Sequence, residues 1–304
     1  MTSIGISTDV ALASRTLLEG GVIGLPTETV YGLAAVALNQ NAVHRVFDTK
    51  GRPRNHPLIV HLASSADYRM WGVFNDLAVS LADALWPGPL TLLVPRSPLV
   101  PDWVTGGRDT VALRVPSHPI AQDLLTRVNT GIVAPSANKF GRVSPTTAQH
   151  VVDDLGEDVD MVLQGGVCHV GVESTIVECT DVFQILRPGQ ISSDVIRHHT
   201  GVTPDEPSGV SRAPGMLSSH YAPNAQVIIA NTRTEADKIA STRGSSAKTR
   251  ILHFDDVNTY AERLYNELRS ADRDGCDVVI AVRAPSVGVG DAVNDRLEKA
   301  AANR

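Results

Sequence analysis

The chain has 304 residues, 42% hydrophobic and 20% charged, an ordinary globular composition with length enough for more than one core. Its formal charge of −6 divides into 14 basic against 19 acidic residues over 1–200 and 13 against 14 beyond, so neither part is a basic nucleic-acid arm. Cys168, Cys179 and Cys276 are too far apart for a disulfide scaffold or a zinc knuckle, no apolar run approaches the roughly 18 residues of a membrane span, and MTSIGISTDV lacks the charge that opens a signal peptide, so a cytoplasmic setting is expected.

From Thr8, TDVALASRTLLEGG reads as a capped helix with a Gly-Gly stop, and the buried strand VIGL follows, ending at Pro26. A helix is expected around Asn41–Phe47, a strand at Leu58–Leu62, helices between Ala66 and Leu85, and a strand at Thr91–Val94. Further strands are expected at Val111–Val115, Ile132–Ala134, Met161–Leu163, Ser174–Glu178 and Phe183–Leu186. Several are almost wholly apolar, which suits a sheet covered on both faces and predicts a twisted, mixed α/β sheet. Periodicity disappears between Thr200 and Asn224, where prolines and glycines mark a linker. VIIA, a helix from Thr234, ILHF, the amphipathic TYAERLYNELRSADRDG, VVIAV and a helix from Gly290 then follow the pattern of a small parallel sheet.

The most unusual local composition is DTKGRPRNHPLIVHL, with Lys50, Arg52 and Arg54 inside five residues and His56 and His61 after them. Gly51 and Pro53 make it a loop beside a strand end, where α/β proteins place ligands. Cations this close repel one another unless an anion lies between them, and phosphate suits both Arg and Lys. A solvated basic loop is the plain alternative. Three further segments place polar, mostly hydroxyl-bearing residues directly after or at apolar strands: Thr27, Glu28, Thr29 and Tyr31 in PTETVYGL, Ser136, Asn138 and Ser144 in VAPSANKFGRVSPT, and Ser174 and Thr175 in VESTIVE. Each alone reads as a turn or cap; together around one sheet edge they would form a pocket.

No Walker loop and no GxGxxG occur, and Ser136, between Pro135 and Ala137, lacks the glycines of a nucleophile elbow. Cys168-His169 and His198-His199 are read as structural, because adjacent strand residues point to opposite faces.

Taken together, PTETVYGL, KGRPRNHPLIVHL, ALRVPSHP, APSANKFGRVSPT, ESTIVE and ILRPGQI resemble the YrdC-like family of threonylcarbamoyl-AMP synthases. APGMLSSHYAP, LYNELRSAD and NDRLEKAA resemble the two-domain form of that enzyme, so the similarity covers nearly the whole chain. The resemblance implies a large twisted mixed-sheet YrdC-like catalytic domain over 1–200, a linker over 201–224 closing over the active site, and a small Rossmann-like α/β domain over 225–304. It implies condensation of L-threonine, bicarbonate and ATP into threonylcarbamoyl-AMP, the precursor of threonylcarbamoyladenosine in tRNA.

By the same resemblance, Lys50, Arg52, Ser136 and Asn138 form the catalytic set. Threonine is expected against Thr29, His61, Arg114, the backbone of Ala134, and Ser174, and the nucleotide against Arg52, His56, Thr110, Ser136, Ser144, Arg187 and Tyr221. His56 stands where relatives often carry Asn, and Leu217 and Ser218 stand where many have a basic residue after the Met. No acidic cluster looks like a metal cage, so Mg²⁺ is expected to arrive with ATP. The expected downstream partner is a tRNA threonylcarbamoyl-transferase, without stable nucleic-acid binding by this chain. Two other readings stand beside this one. An RNA-binding module is disfavoured by the −5 charge of the first 200 residues. A hydrogenase-maturation carbamoyl-transfer domain would bring zinc-finger and acylphosphatase regions that are not visible in this sequence.

Overall fold

Side-chain oxygens decide where many of the helices begin. Asp9, Asn39, Asn75, Thr147, Ser192 and Asp256 each accept a backbone N–H from the first turn, so the chain turns helical there. A computed structural model of the protein describes residues 5–206, 221–243 and 247–302. Its first unit contains β1 (Ile6–Ser7), α1 (Val10–Leu18), β2 (Ile23–Leu25), β3 (Gly32–Val36), α2 (Gln40–Lys50), β4 (Ile59–His61), α3 (Asp76–Leu85) and β5 (Leu90–Pro95). It continues through α4 (Asp102–Thr105), β6 (Thr110–Arg114), α5 (Pro119–Val128), β7 (Ile132–Val133), α6 (Ala148–Leu155), β8 (Met161–Leu163), β9 (Thr175–Cys179), β10 (Phe183–Arg187) and α7 (Ser193–Thr200).

The ten strands form one mixed sheet in the order β1-β8-β2-β3-β7-β4-β6-β5-β9-β10. Its central strands are buried along almost their whole length, and the two largest apolar clusters of this unit hold side chains from different helices, as a sheet covered by helices requires. A second, parallel sheet has the order β11-β13-β12 and is built from β11 (Gln226–Ala230), α8 (Arg233–Arg243), β12 (Thr249–Leu252), α9 (Val257–Arg273), β13 (Val278–Val282) and α10 (Gly290–Ala301). The α/β class, the large mixed sheet and the small parallel sheet are those expected from the sequence.

Some local expectations need correcting. Gly32–Val36, which no strand expectation covered, is a central strand: its small residues suit close approach, and a Cβ on Gly32 would lie 2.8 Å from that of Ala134. Pro119–Val128, Ala148–Leu155 and Ser193–Thr200 are helices that the periodicity reading passed over. The expected linker falls largely on 207–220, including Leu217 and Ser218, which lie outside the described residues.

The small unit packs directly on the large one. Val30, Val143, Val170 and Val172 share an apolar cluster with Tyr221, Ala261 and Tyr265. Gly171, with φ +76°, permits the closest approach: a Cβ there would sit 2.3 Å from the Ala261 carbonyl oxygen in α9. Arg269 of α9 clamps the seam, donating to the carbonyls of Val143 and Ser144 and pairing with Asp154.

Candidate active site

The topology brings several chain segments to one place. β4 and β6 run parallel with His61 opposite Arg114, so the last residues of both strands are neighbours. β7 runs antiparallel to β4, which sets Ala134 beside Ile59. The start of β5 lies between the end of β6 and the start of β9, which brings Ser174 to the same edge, and β10 returns along β9 to end at Arg187. Thr29 comes from the β2–β3 loop, and Arg52 follows α2, which Gly51 terminates with φ +63°.

These segments enclose a cavity of about 50 Å³ lined by Thr29, Val30, Arg52, Ile59, His61, Arg114, Ala134, Pro135, Ser136, Glu173, Ser174, Arg187 and Tyr221. Nine of the site residues expected from the sequence therefore face one cavity: Thr29, Arg52, His61, Arg114, Ala134, Ser136, Ser174, Arg187 and Tyr221.

The other five lie off that lining. Lys50 is the last residue of α2 and is buried, its Nζ donating to the carbonyls of Ser136 at 2.5 Å and Asn138 at 2.7 Å. Asn138 is buried too, and its amide donates to the carbonyls of Lys139 and Arg142. Both side chains thus hold the turn after β7 that presents Ser136. Ser144 donates to Glu173 at 2.6 Å and reaches the cavity only through that carboxylate. His56 packs edge-on against Phe140, with ring centroids 5.6 Å apart, and Thr110 opens β6 at the far end of the strand from Arg114. Three cations sharing one anion, the arrangement suggested by Lys50, Arg52 and Arg54, is not what the fold builds. Lys50 is turned inward, Arg52 faces the cavity, and Arg54 is an exposed partner of Asp48 at 2.9 Å. The end of α2 and the left-handed Gly51 send the three side chains in different directions.

Sequence reading passed over Glu173, although it stands immediately before Ser174. It also passed over Tyr265 and Arg296, which complete the surroundings, and gave no role to Glu28, which it placed directly after the first buried strand.

The charges fall into two kinds. Arg114 Nη2 lies 2.8 Å from Glu28 Oε1, a buried pair held by charge, while Arg114 Nη1 donates to Thr29 Oγ1 at 2.9 Å and Nε to the Gly88 carbonyl. Burial works to raise the Glu28 carboxyl, but Arg114 and neighbouring hydrogen bonds override it and hold the pKa below the ordinary value. Arg296 pairs with Glu173 at 2.9 Å, and burial is again overridden, by Arg296, Arg187 and Ser144, leaving Glu173 down at about 2. Both carboxylates are ionised at neutral pH.

Arg52 is different. Its Nη2 donates to the Pro57 carbonyl at 2.8 Å, while its Nε is shut off from solvent without a partner, and no carboxylate pairs with it among the described residues. Burial brings its pKa down to about 10, still charged at neutral pH. Arg187 grips Ser174 through its carbonyl at 3.0 Å and its hydroxyl at 3.1 Å. Burial, and then Arg114, push His61 down to about 3, so its ring is neutral and can act as donor or acceptor. A lining of guanidinium groups, hydroxyls and a neutral imidazole suits an anionic, hydroxyl-bearing ligand.

Comparison with known proteins agrees with this chemistry. A family model described as telomere recombination matches residues 15–189, and one described as threonylcarbamoyl-AMP synthase, C-terminal domain, matches 180–302. The threonylcarbamoyl-AMP synthase of Pyrococcus abyssi is 38% identical across 97% of this chain and 94% of its own. The chain belongs to the threonylcarbamoyl-AMP synthase family. The Bacillus subtilis synthase is 36% identical over 97% of this chain and 93% of its own. The crystal structure of P. abyssi Sua5 complexed with L-threonine superposes with a TM-score of 0.91 at 37% identity, covering 96% of this chain and 94% of that one. A shorter threonylcarbamoyl-AMP synthase, from Pseudomonas aeruginosa, is 36% identical over 58% of this chain and 95% of its own.

Proposed function

We propose that this protein condenses L-threonine, bicarbonate and ATP into threonylcarbamoyl-AMP and pyrophosphate. The observation that carries the reading is the cavity: Arg52, Arg114 and Arg187 converge with the hydroxyls of Thr29, Ser136 and Ser174 on one space, in a chain of this family. The threonine amine, once deprotonated, adds to carbon dioxide formed from bicarbonate and gives a carbamate. A carbamate oxygen then attacks the α-phosphorus of ATP, and the bond to pyrophosphate breaks. Both partners are anions, so fixed cations lower the barrier to their meeting.

We assign the threonine to Thr29, His61, Arg114, Ala134 and Ser174, and the nucleotide to Arg52, Ser136, Arg187 and Tyr221. Lys50 and Asn138 act by holding the Ser136 turn, and Ser144 by holding Glu173. His56 and Thr110 stand outside the cavity lining and would meet only the outer part of a nucleotide. The segment 201–224 joins the two units and is the part we assign to closing over the product, whose mixed anhydride hydrolyses in water.

Among the described residues no group of three His, Cys, Asp or Glu side chains could hold a metal ion. The Glu28 and Glu173 carboxylates are already engaged by Arg114 and Arg296. We take Mg²⁺ to enter as part of the MgATP substrate. The reading carries with it a cytoplasmic setting and a downstream tRNA threonylcarbamoyl-transferase that consumes the labile product. With −5 over residues 1–200, stable nucleic-acid binding is not expected.

The test is pyrophosphate release from ATP with threonine and bicarbonate each omitted in turn. Release that needs both supports the reading; release indifferent to either sinks it.

A further inference from the structure

Glu173 lines the cavity, yet two of its principal partners belong to the small unit. Its Oε2 accepts from Arg296 Nε of α10 at 2.9 Å and from the Tyr265 hydroxyl of α9 at 2.8 Å, and its Oε1 accepts from Ser144 at 2.6 Å. Arg296 is 1% exposed and is itself locked: Nη2 donates to the Pro188 carbonyl, Nη1 to Asp295, and its Cζ lies 5.2 Å from the centre of the Tyr221 ring. Tyr221, a cavity residue with φ +61°, stacks on Tyr265 with ring centroids 5.7 Å apart. One buried cluster thus ties α9 and α10 to two cavity residues.

We infer that Arg296 and Tyr265 are positioning residues for the active site: by satisfying Glu173 from the small unit, they keep its carboxylate from neutralising the cations that an anionic substrate needs. The inference rests on the reading under Proposed function. Its physical basis is charge separation. Glu173 lies close enough to Arg187 and Lys50 for each to feel its charge. A buried carboxylate stripped of its counter-ion is strongly unfavourable and takes the nearest cation instead. That cation would be part of the cavity wall or of the brace beneath it, and attraction for the triphosphate would fall. The small unit supplies the competing cation, so its docking and the strength of the site are one property.

The experiment follows pyrophosphate release against ATP concentration, at saturating threonine and bicarbonate, for wild type, Arg296→Met, Tyr265→Phe, Arg296→Met/Glu173→Gln and, as a surface control in the same unit, Arg283→Ala. If the wild type does not require threonine and bicarbonate, the functional reading fails and this inference goes with it. With an active wild type, Arg296→Met is expected to raise the KM for ATP about tenfold or more with a smaller change in kcat. Tyr265→Phe should raise the KM by about threefold while keeping its ring against Tyr221. The double variant, with no stray carboxylate, should recover most of the lost affinity, and Arg283→Ala should be unchanged. An unaltered KM in Arg296→Met, or a double variant no better than the single, overturns the inference. Should Arg296→Met not fold, Arg296→Gln takes its place and is read in the same way, since it keeps a polar side chain but supplies no cation to Glu173.

Discussion

Arg52→Ala removes the cavity cation with the fewest ties to the rest of the protein. Among the described residues its side chain has one hydrogen bond to a protein group, from Nη2 to the Pro57 carbonyl, and its Nε has no partner. Folding therefore loses a single hydrogen bond to a carbonyl, a cost of about 1 kcal/mol, and is relieved of a charge that burial already disfavours. Catalysis loses more. A preorganised donor facing developing charge contributes about 2.7–4 kcal/mol, so turnover should drop roughly a hundredfold to a thousandfold. The signature is this split: a large fall in pyrophosphate release at saturating ATP, threonine and bicarbonate, with an unfolding free energy within about 1 kcal/mol of wild type. Turnover within about tenfold of wild type in folded protein would refute the assignment. A loss of several kcal/mol in stability would instead make Arg52 a scaffold residue.

Lys50→Met should act through the fold. Two buried carbonyls, those of Ser136 and Asn138, lose their donor, and the net cost is expected at about 2 kcal/mol after the relief of burying a charge, with activity falling as the Ser136 turn loosens. Urea unfolding and turnover measured together check it, and activity lost at an unshifted midpoint would make Lys50 a direct contact. Acid sensitivity should come from two buried histidines, His61 and His150, held by burial at about 3 and about 4. The unfolded chain takes up their protons below about pH 6.5 and the folded chain does not, so stability falls as pH drops through that window. At pH 5 each should cost about 2 kcal/mol, and His150→Gln should reduce the slope of unfolding free energy against pH between 5 and 6.5; a slope identical to wild type removes His150 from the account.

Much of this arrangement was legible from local pattern. The apolar runs marked strands such as Met161–Leu163 to the residue, because a strand buried on both faces leaves an unbroken hydrophobic signature. β3 was lost because Gly32–Val36 is rich in small residues, and the reason for them, the nearby Ala134, is a hundred positions away. The site divides in the same way. Hydroxyls and cations at strand ends pointed to Thr29, Arg52, Ser136 and Ser174, which share the cavity. Nearness in sequence misled at Arg54, since three cations in five residues converge only if the backbone turns them to one side. The Glu173 cluster was out of reach, because the amphipathic face of α9 shows that Tyr265 is buried but not that it meets a carboxylate 92 residues earlier.

Buried charge in this protein is therefore of two sorts, and the difference links folding to binding. Glu28–Arg114 and Glu173–Arg296 are compensated within the chain, whereas Arg52, without a carboxylate partner among the described residues, is open to a counter-charge from outside. A ligand that supplies it binds the folded state alone and must stabilise it, by about 2.7 kcal/mol at a hundredfold excess over Kd. Thermal unfolding with a non-hydrolysable ATP analogue should show a rise in Tm for wild type that is largely absent in Arg52→Ala at the same analogue concentration. Equal rises in the two proteins would mean that the triphosphate is held elsewhere, and Arg52 would then need another explanation for a guanidinium left without a carboxylate.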